Sequence, residues 1–356
     1  MKRYGNLFEK VCDKNNIELA IINASKGKRN RANVKHIVDN KEHYSLLLKY
    51  LLEEDMYESS PYTKFTIMDN CSQKEREVFA PKFYPDQVVH WAVMQVIQPI
   101  LEKSMYHLSV GSRLGKGTHY GKKYLERWLR NDKKHTKYCL KLDIRKFYPS
   151  IPQDKLKECL SRKFKDDKLL NLLYSIIDSV ESGVPIGNYT SQWFANFYLT
   201  SLDHYIKEEL SIRYYVRYMD DMVLIDNNKH KLHKARKSIE AFLKNLGLTL
   251  KDNWQVFVID DRSIDFMGFR FYHHKTILRK RTALRIKRRM KKAHKNLNYH
   301  NACAVISYYG WLKYANMYNY VLKYVKPYIN IKKAKGVISY ENRKQHNSKQ
   351  LCSRKR

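Results

Sequence analysis

Apolar and polar residues alternate along two stretches of the chain, 74–81 (KEREVFAP) and 138–144 (YCLKLDI), as expected of β-strands with one buried face. In a third stretch, 214–226 (YYVRYMDDMVLID), two apolar, β-prone runs flank a polar step. That pattern predicts a β-hairpin with the adjacent carboxylates of Asp220 and Asp221 at its turn.

Between and around these strands, apolar residues recur at helical spacing. Residues 1–65 are mixed helical sequence without recognisable chemistry. The pattern predicts helices over about 87–103, 155–177, 191–199 and 231–246, and further strands over 248–251 and 264–271. The elements come in the order strand, helix, loop, helix, hairpin, helix and strand. This order approximates the split β-α-β arrangement of a polymerase palm. Such a sheet would bring Asp143 beside Asp220 and Asp221.

The net charge of the chain indicates a class of binding partner. Lys and Arg total 69 against 35 acids, a formal net charge of +34, and the 28 tyrosines supply faces that can stack on bases. The last 91 residues contain a single acid, Glu341, and eleven Lys or Arg fall within 275–295. A charge this one-sided favours a nucleic acid as partner, with an anionic membrane surface as the weaker alternative.

The six cysteines are scattered without a C-x-x-C pair, which argues against a zinc knuckle and a disulfide framework and suits a reducing interior. The N-terminus has no secretory apolar core, and no apolar run approaches the ~18 residues needed to span a bilayer. We therefore expect a soluble protein of the cytoplasm, with no membrane partner.

The carboxylates supply the candidate chemistry. Asp is a common turn residue, so Asp220 and Asp221 alone would suit a solvated turn. A carboxylate near the end of a core strand is costly unless it is paired, which makes Asp143 the candidate third ligand; a salt bridge to Lys141 or Arg145 is the alternative. Three convergent carboxylates suit two divalent cations roughly 3.5–4 Å apart, which can activate a 3′-hydroxyl and stabilise departing pyrophosphate.

These motifs resemble those of a known family. Residues 218–221 (YMDD) resemble the YxDD box of reverse transcriptases, 142–148 (LDIRKFY) their first aspartate motif, and 266–268 (FMG) their primer-grip turn. The resemblance extends over about 74–320, with the motifs in family order. It implies an α+β fold with right-hand polymerase architecture: fingers, a palm with a split β-α-β type sheet, and a short helical thumb.

The domain boundaries that follow are also expectations. They are an N-terminal helical extension (1–65), fingers (66–138), a palm (139–272) with a fingers insertion near 160–185, a basic helical thumb (273–330) and a basic flexible tail (331–356).

The loop 185–192 (PIGNYTSQ) indicates a subgroup. Most reverse transcriptases have Gln before this glycine and Pro after the serine, where this chain has Ile186 and Gln192. The I-G-x-x-x-S-Q form resembles the reverse transcriptases of diversity-generating retroelements, as do 115–120 and 307–313. That resemblance implies error-prone copying of a template RNA into cDNA, with adenine-directed errors. Loss of the Gln amide is a physical route to lower fidelity, because it weakens polar discrimination.

The resemblance also implies partners. They are template RNA, the RNA–cDNA hybrid, dNTPs and a small oligomeric accessory protein, in a bacterial or phage-infected cell. The alternatives are another bacterial or phage reverse transcriptase, of the retron, group II intron-like or anti-phage defence type, and a non-catalytic RNA-binding scaffold that keeps the palm fold.

Residue roles follow position by position from the family. Asp143, Asp220 and Asp221 would hold two Mg²⁺ ions, or Mn²⁺, assisted by the Ile144 carbonyl. Tyr148 matches the steric gate that excludes a ribose 2′-OH. The other residues expected to contact nucleotide are Lys74, Arg76, Ile186, Gly187, Gln192 and Lys251. Those expected to contact nucleic acid are Arg113, Lys116, Met267, Gly268, Arg281, Arg285, Arg288, Arg289 and Lys292.

Overall fold

The structure, a computed structural model, describes residues 3–69 and 74–354. The side chains of Asp69, Lys74 and residues 345–354 lie outside this description. The α-helices are α1 (Phe8–Cys12), α2 (Lys14–Ala24), α3 (Ala32–Asp39), α4 (Lys41–Glu53), α5 (Val88–Ser104), α6 (Thr118–Asn131), α7 (Phe147–Ser150), α8 (Gln153–Ser161), α9 (Asp167–Asp178), α10 (Tyr189–Tyr198), α11 (Thr200–His204), α12 (Lys229–Asn245), α13 (Lys280–Lys295), α14 (Tyr299–Lys313), α15 (Tyr318–Tyr324) and α16 (Ile331–Arg354). The strands are β1 (Thr63–Asp69), β2 (Lys74–Ala80), β3 (Tyr138–Asp143), β4 (Tyr214–Tyr218), β5 (Asp221–Asp226), β6 (Gln255–Val258), β7 (Ile264–Phe266), β8 (Phe269–Phe271) and β9 (Thr276–Leu278).

The chain forms two compact units. Unit 1 takes in the described residues of Met1–Leu114, Lys141–Met222 and His233–Trp254, and unit 2 those of Gly115–Leu140, Val223–Leu232 and Gln255–Arg356. No helix in the described part of the chain has the length and apolar character needed to cross a membrane.

Helix α5 is central to the core of unit 1. Val89, Val93, Ile97 and Leu101 are four residues apart and fully buried, so they form one apolar stripe along the helix. Helix α2 packs against α5 and is joined to it by polar contacts, since the Asn16 side chain donates to the Ala92 carbonyl at 3.1 Å. The N-terminal helices are therefore built into the core of this unit.

The central sheet has the strand order β4–β5–β3–β6. The neighbours β4 and β5 form the predicted hairpin over 214–226, so that prediction is confirmed. Tyr215, Val216 and residues 222–225 are fully buried, because both strands carry continuous apolar runs. The β3 strand ends at Asp143, as predicted.

Three other expectations differ in detail. Residues 155–177 form two helices, since α8 ends at Ser161 and Asp166 caps α9 by accepting from the Leu169 amide at 3.2 Å. Residues 248–251 form no strand and make one isolated bridge, from Leu250 to Ile144. Residues 264–271 form two short strands, β7 and β8, joined at Met267 and Gly268.

The expected flexible tail is helical over its described residues. Helix α16 packs against α14, buries Ala334 and places the Asn342 side chain 3.1 Å from the Tyr299 hydroxyl. The polar, basic composition of this segment suggested disorder, but packing against a neighbouring helix stabilises helical structure that composition alone does not predict.

Candidate active site

Three aspartates meet at the strand ends of unit 1. The Ile144 amide donates to the Asp220 carbonyl at 3.3 Å, which joins the segment after β3 to the turn of the hairpin. The Lys251 amide donates to the Asp143 carbonyl at 2.9 Å. Asp143, Asp220 and Asp221 are therefore held on neighbouring segments by backbone hydrogen bonds, as the sequence predicted.

Lysines already neutralise part of this charge. Lys251 Nζ lies 2.5 Å from Asp143 Oδ2, and Lys141 Nζ lies 3.5 Å from Asp221 Oδ2. The second oxygen of each pair, Asp143 Oδ1 and Asp221 Oδ1, is buried without a hydrogen-bond partner. An unpaired buried carboxylate oxygen is costly, so these two atoms mark a place where a cation would be favourable.

The pKa values of the two turn carboxylates also favour a bound cation. Burial raises the pKa of Asp220 to about 6, and the nearby charge of Asp143 adds to the effect. Burial raises the pKa of Asp221 to about 7, although Lys141 acts in the opposite direction. Carboxylates crowded together in a partly dry place resist ionisation, and an added cation relieves that repulsion.

The three aspartates fit a divalent cation by donor type but are not already arranged as its ligands. Over residues 3–69 and 74–354, no three or more Asp, Glu, His or Cys side chains are arranged around a common metal position. In the structure, Asp143 and Asp221 each direct one oxygen to a lysine. Hard oxygen ligands, two of them unsatisfied, nevertheless match what Mg²⁺ requires.

A strained backbone carries these carboxylates. Met219, just before the two aspartates, has φ +56°, a conformation that residues with side chains rarely adopt. A Cβ atom on Gly111 would lie 2.8 Å from the Met219 amide nitrogen, so only glycine permits the segment after α5 to approach the turn this closely. The Asn196 side-chain nitrogen donates to the Gly111 carbonyl at 2.9 Å and lies 3.5 Å from Met219 Sδ, so it contacts both segments.

Beneath the turn lies a fully buried ion pair between Arg217 and Asp203. Arg217 Nε donates to Asp203 Oδ1 at 2.8 Å and Nη2 to Oδ2 at 2.6 Å. Arg217 Nη1 donates to the Met219 carbonyl at 2.9 Å and to Asn196 Oδ1 at 3.2 Å. Burial alone would lower the pKa of the Arg217 guanidinium, but Asp203 raises it above its usual value. The guanidinium therefore stays charged and links the core to the turn that carries Asp220 and Asp221.

A cleft of about 880 Å³ opens beside Asp220 within unit 1. Four residues expected to contact nucleotide line it: Arg76, Tyr148, Ile186 and Lys251. Burial and the nearby Asp220 raise the pKa of the Tyr148 phenol, so this hydroxyl stays protonated. Arg145 and Lys146 also line the cleft. It combines the Asp220 carboxylate with basic groups, a combination that suits a nucleoside triphosphate and its metal ions.

The remaining predicted nucleotide contacts lie elsewhere. Gly187 and Gln192 do not line this cleft; they line a second cavity of unit 1, together with Val78 and Ala80 of β2. Lys74 begins β2, but its side chain lies outside the described residues.

The expectation that Arg113 contacts nucleic acid is wrong. Its side chain is buried, its Nη2 lies 3.1 Å from Glu102 Oε1, and its Nη1 donates to the Tyr106 and Ser109 carbonyls at 2.6 and 2.8 Å. The glycine-rich sequence suggested an exposed basic loop. Instead, Arg113 satisfies the carbonyls of a turn that packs beside β4.

The other predicted nucleic-acid contacts belong to unit 2. Lys116 Nζ lies 5.8 Å from the centre of the Tyr120 ring. Met267 and Gly268 form the turn between β7 and β8, with φ of +50° and +86°, and a Cβ on Gly268 would lie 3.0 Å from the Trp311 ring. This close approach requires glycine.

Helix α13 presents the basic residues of unit 2. It buries Ile286, Met290 and Ala293 on one face. Arg281, Arg288 and Lys292 are exposed, whereas Arg285 and Arg289 are half-buried, and Arg289 Nη1 donates to Asn301 Oδ1 at 3.3 Å. A helix that is apolar on one face and basic on the other is well suited to a polyanion.

Sequence reasoning did not predict which lysine pairs with which aspartate, nor the role of Arg217. The predicted alternative partners of Asp143 were Lys141 and Arg145, but its partner is Lys251, and Lys141 pairs with Asp221. The role of Arg217 had a signal in the sequence, since a charged residue inside an apolar strand requires a buried partner.

Comparison with known proteins identifies the class. Residues 84–271, more than half of the chain, match the family model described as Reverse transcriptase (RNA-dependent DNA polymerase). The chain belongs to this family, and its fold is that of a right-hand polymerase, as the sequence predicted.

The individual proteins that this chain resembles share low sequence identity with it. Retron Ec73 reverse transcriptase from Escherichia coli is 29% identical over 136 residues, which cover 35% of this chain and 43% of that protein. The chain thus matches less than half the length of this curated relative. Apo telomerase from Candida tropicalis, truncated from its C-terminal domain, is 16% identical with a TM-score of 0.48, over 68% of this chain and 60% of that one. Telomerase from Candida albicans with a TWJ fragment of telomeric RNA is 14% identical with a TM-score of 0.49, over 83% of this chain and 62% of that one.

Proposed function

We propose that this protein is an RNA-directed DNA polymerase of a diversity-generating retroelement, which makes error-prone cDNA from a template RNA. One observation carries the polymerase activity: three aspartates with two unsatisfied buried oxygens stand beside a cleft lined by Arg76, Tyr148 and Lys251. The dNTPs, template RNA, RNA–cDNA hybrid and small oligomeric accessory protein belong to the proposal.

The chain's own residues mainly position the substrates and neutralise their charge. Asp143, Asp220 and Asp221, with the Ile144 carbonyl, would hold two Mg²⁺ ions. When bound, these ions supply charge for activating the 3′-hydroxyl and stabilising the departing pyrophosphate. The Lys251 ammonium, now 2.5 Å from Asp143, and Arg76 provide positive charge for the triphosphate. The Tyr148 ring lines the same cleft and would collide with a ribose 2′-OH.

The subtype rests on the loop at Ile186. This side chain lines the cleft that contains Asp220, at a position where most family members have Gln. An aliphatic side chain there offers no hydrogen bond to a base pair or to its surroundings. Discrimination that relies on shape alone is weaker than discrimination that leaves a polar group unpaired, so more errors are expected.

The catalytic assignment is tested by Asp220→Asn, which keeps the size of the side chain but removes its charge. We expect it to abolish Mg²⁺-dependent dNTP incorporation on an RNA template, while RNA affinity in a filter-binding assay stays within about twofold. Asp226→Asn, at the far end of the strand β5 that follows Asp220, is the matched control and should remain active. A wild-type protein that incorporates no dNTP with its own RNA and accessory protein would favour the non-catalytic scaffold.

A retron-like reverse transcriptase is the second candidate, favoured by the match to the Escherichia coli retron enzyme. The flanking DNA distinguishes the two candidates. A template and variable repeat pair that differs at adenines supports the retroelement, and its absence counts against it. Sequencing the cDNA made on co-purified RNA reports the template and the error pattern together.

A further inference from the structure

Lys141 is a charged residue of the aspartate cluster to which the proposed mechanism gives no task. It lies on β3 two residues before Asp143, and side chains alternate along a strand, so both residues share one face of the sheet. Their neighbours Leu140 and Leu142 are buried on the other face. Because β5 is next to β3 in the sheet, the Lys141 ammonium reaches the first residue of β5, Asp221.

The contact between Lys141 and Asp221 is an ion pair of loose geometry. Lys141 Nζ lies 3.5 Å from Asp221 Oδ2, whereas Lys251 Nζ lies 2.5 Å from Asp143 Oδ2. A charge-assisted hydrogen bond from an ammonium to a carboxylate is usually about 2.7–2.9 Å long. The Lys141 side chain is 29% exposed, so its ammonium can move toward solvent without crossing the core. Lys141 therefore supplies charge to Asp221 without clamping it.

The charges of the cluster nearly cancel. Asp143, Asp220 and Asp221 carry three negative charges when ionised, and the two lysines paired with them carry two positive charges, so one negative charge remains. A dication that takes the oxygens of Asp221 would meet the Lys141 ammonium at the same carboxylate. Like charges repel at such short range, so the lysine opposes binding of the ion.

We propose that Lys141 is a built-in competitor of the metal ion that Asp221 would hold, and that it sets the Mg²⁺ concentration at which the aspartates become loaded. The inference rests on the proposed polymerase function, which requires the metal ions. A bound triphosphate adds negative charge beside Asp220, so it offsets the repulsion from Lys141. By linkage, the ion and the triphosphate then favour each other's binding.

The test measures metal binding directly. Mn²⁺ is titrated into the chain of 356 residues without nucleotide or nucleic acid, and free Mn²⁺ is followed by electron paramagnetic resonance. Lys141→Met keeps the length of the side chain but removes its charge. We expect this variant to bind Mn²⁺ about tenfold more tightly than wild type, because a partly exposed charge repels a doubly charged ion through a screened interaction. Binding that persists in Asp220→Asn is subtracted, since it belongs to other parts of the surface.

Two controls separate the charge of Lys141 from other effects of the substitution. Lys141→Arg keeps the positive charge and should bind Mn²⁺ within about twofold of wild type. Lys231→Met removes the lysine whose Nζ lies 3.0 Å from Asp226 Oδ2, at the far end of β5. That ion pair does not involve the three aspartates, so the Mn²⁺ affinity should equal that of wild type.

Urea unfolding supplies a readout that a merely structural lysine would not move. In EDTA, Lys141→Met should unfold at a lower urea concentration than wild type, because the buried Asp221 carboxylate has lost the Lys141 charge. At saturating Mn²⁺ this difference should disappear or reverse, because the ion binds only the folded state and stabilises it more when it binds more tightly. A lysine that only holds the fold together would give the same difference under both conditions.

The outcomes separate the two proposals. An Mn²⁺ affinity of folded Lys141→Met equal to or weaker than that of wild type would overturn the inference. Equal tightening in Lys141→Met and Lys141→Arg would also overturn it, because the charge would then not be the cause. If Lys141→Met tightens Mn²⁺ binding but the wild type incorporates no dNTP on a primed RNA template, the competition stands and the polymerase proposal fails.

Discussion

Replacing Arg217 by lysine would keep the buried positive charge but remove part of the planar guanidinium that reaches the turn before Asp220. Arg217 makes two hydrogen bonds to Asp203 and one to the Met219 carbonyl, and Arg217 and Asp203 are fully buried. A lysine ammonium has a different reach and cannot reproduce the bidentate geometry. The variant therefore tests whether Arg217 positions the turn as well as stabilising the fold.

The magnitude follows from the bonds that are lost. The variant loses one of the two hydrogen bonds to Asp203 and the bond to the Met219 carbonyl. Both bonds are charge-assisted, and each is worth about 1.5–3 kcal/mol. We expect Arg217→Lys to lower the free energy of unfolding by about 3–5 kcal/mol. Asp203→Asn should cost a similar amount, about 3–5 kcal/mol, because it leaves the Arg217 charge buried without a counter-charge.

The assay combines urea unfolding with steady-state dNTP incorporation below the unfolding transition. If Arg217 positions the turn, Arg217→Lys lowers kcat about tenfold or more at an unchanged KM, because a misplaced turn affects the transition state more than substrate binding. A double variant, Arg217→Met with Asp203→Leu, removes both charges and should recover stability but not kcat. Recovery of full kcat in the double variant would refute the positioning role, since the turn would then need only a packed core beneath it.

Three further predictions concern single side chains of unit 1. Tyr148→Ala should raise incorporation of ribonucleotides relative to deoxyribonucleotides by about tenfold or more, measured by competition on one template; an unchanged ratio would remove the steric-gate role. Ile186→Gln should reduce misincorporation opposite template adenine in sequenced cDNA, and an unchanged error spectrum would separate Ile186 from fidelity. Burial lowers the pKa of His90 to about 4, against about 6.5 in the unfolded chain. Between these two pH values the unfolded state binds one more proton than the folded state. The free energy of unfolding therefore decreases as the pH falls from about 6.5 to 4. His90→Phe should flatten this loss, by up to about 3 kcal/mol, in urea unfolding measured at successive pH values without RNA; an identical slope would mean that His90 titrates normally.

Local patterns were enough to predict the elements that carry the chemistry. Two apolar runs around adjacent aspartates predicted the hairpin of β4 and β5, and alternation up to Asp143 predicted β3. These features depend on residues that are neighbours in sequence, through side-chain period and turn chemistry. They can therefore be predicted without knowledge of the tertiary structure. The order of the motifs also predicted a right-hand polymerase, which the family match supports.

The tertiary structure decided which side chains meet. It paired Asp143 with Lys251 and Asp221 with Lys141, buried Arg113 against Glu102, and placed the neighbours Ile186 and Gly187 at two different cavities. The physical reason is that a strand or helix pattern specifies which face is buried but not what will cover it. Partners distant in sequence are chosen only when the packed chain must satisfy each buried charge and hydrogen-bonding group at once.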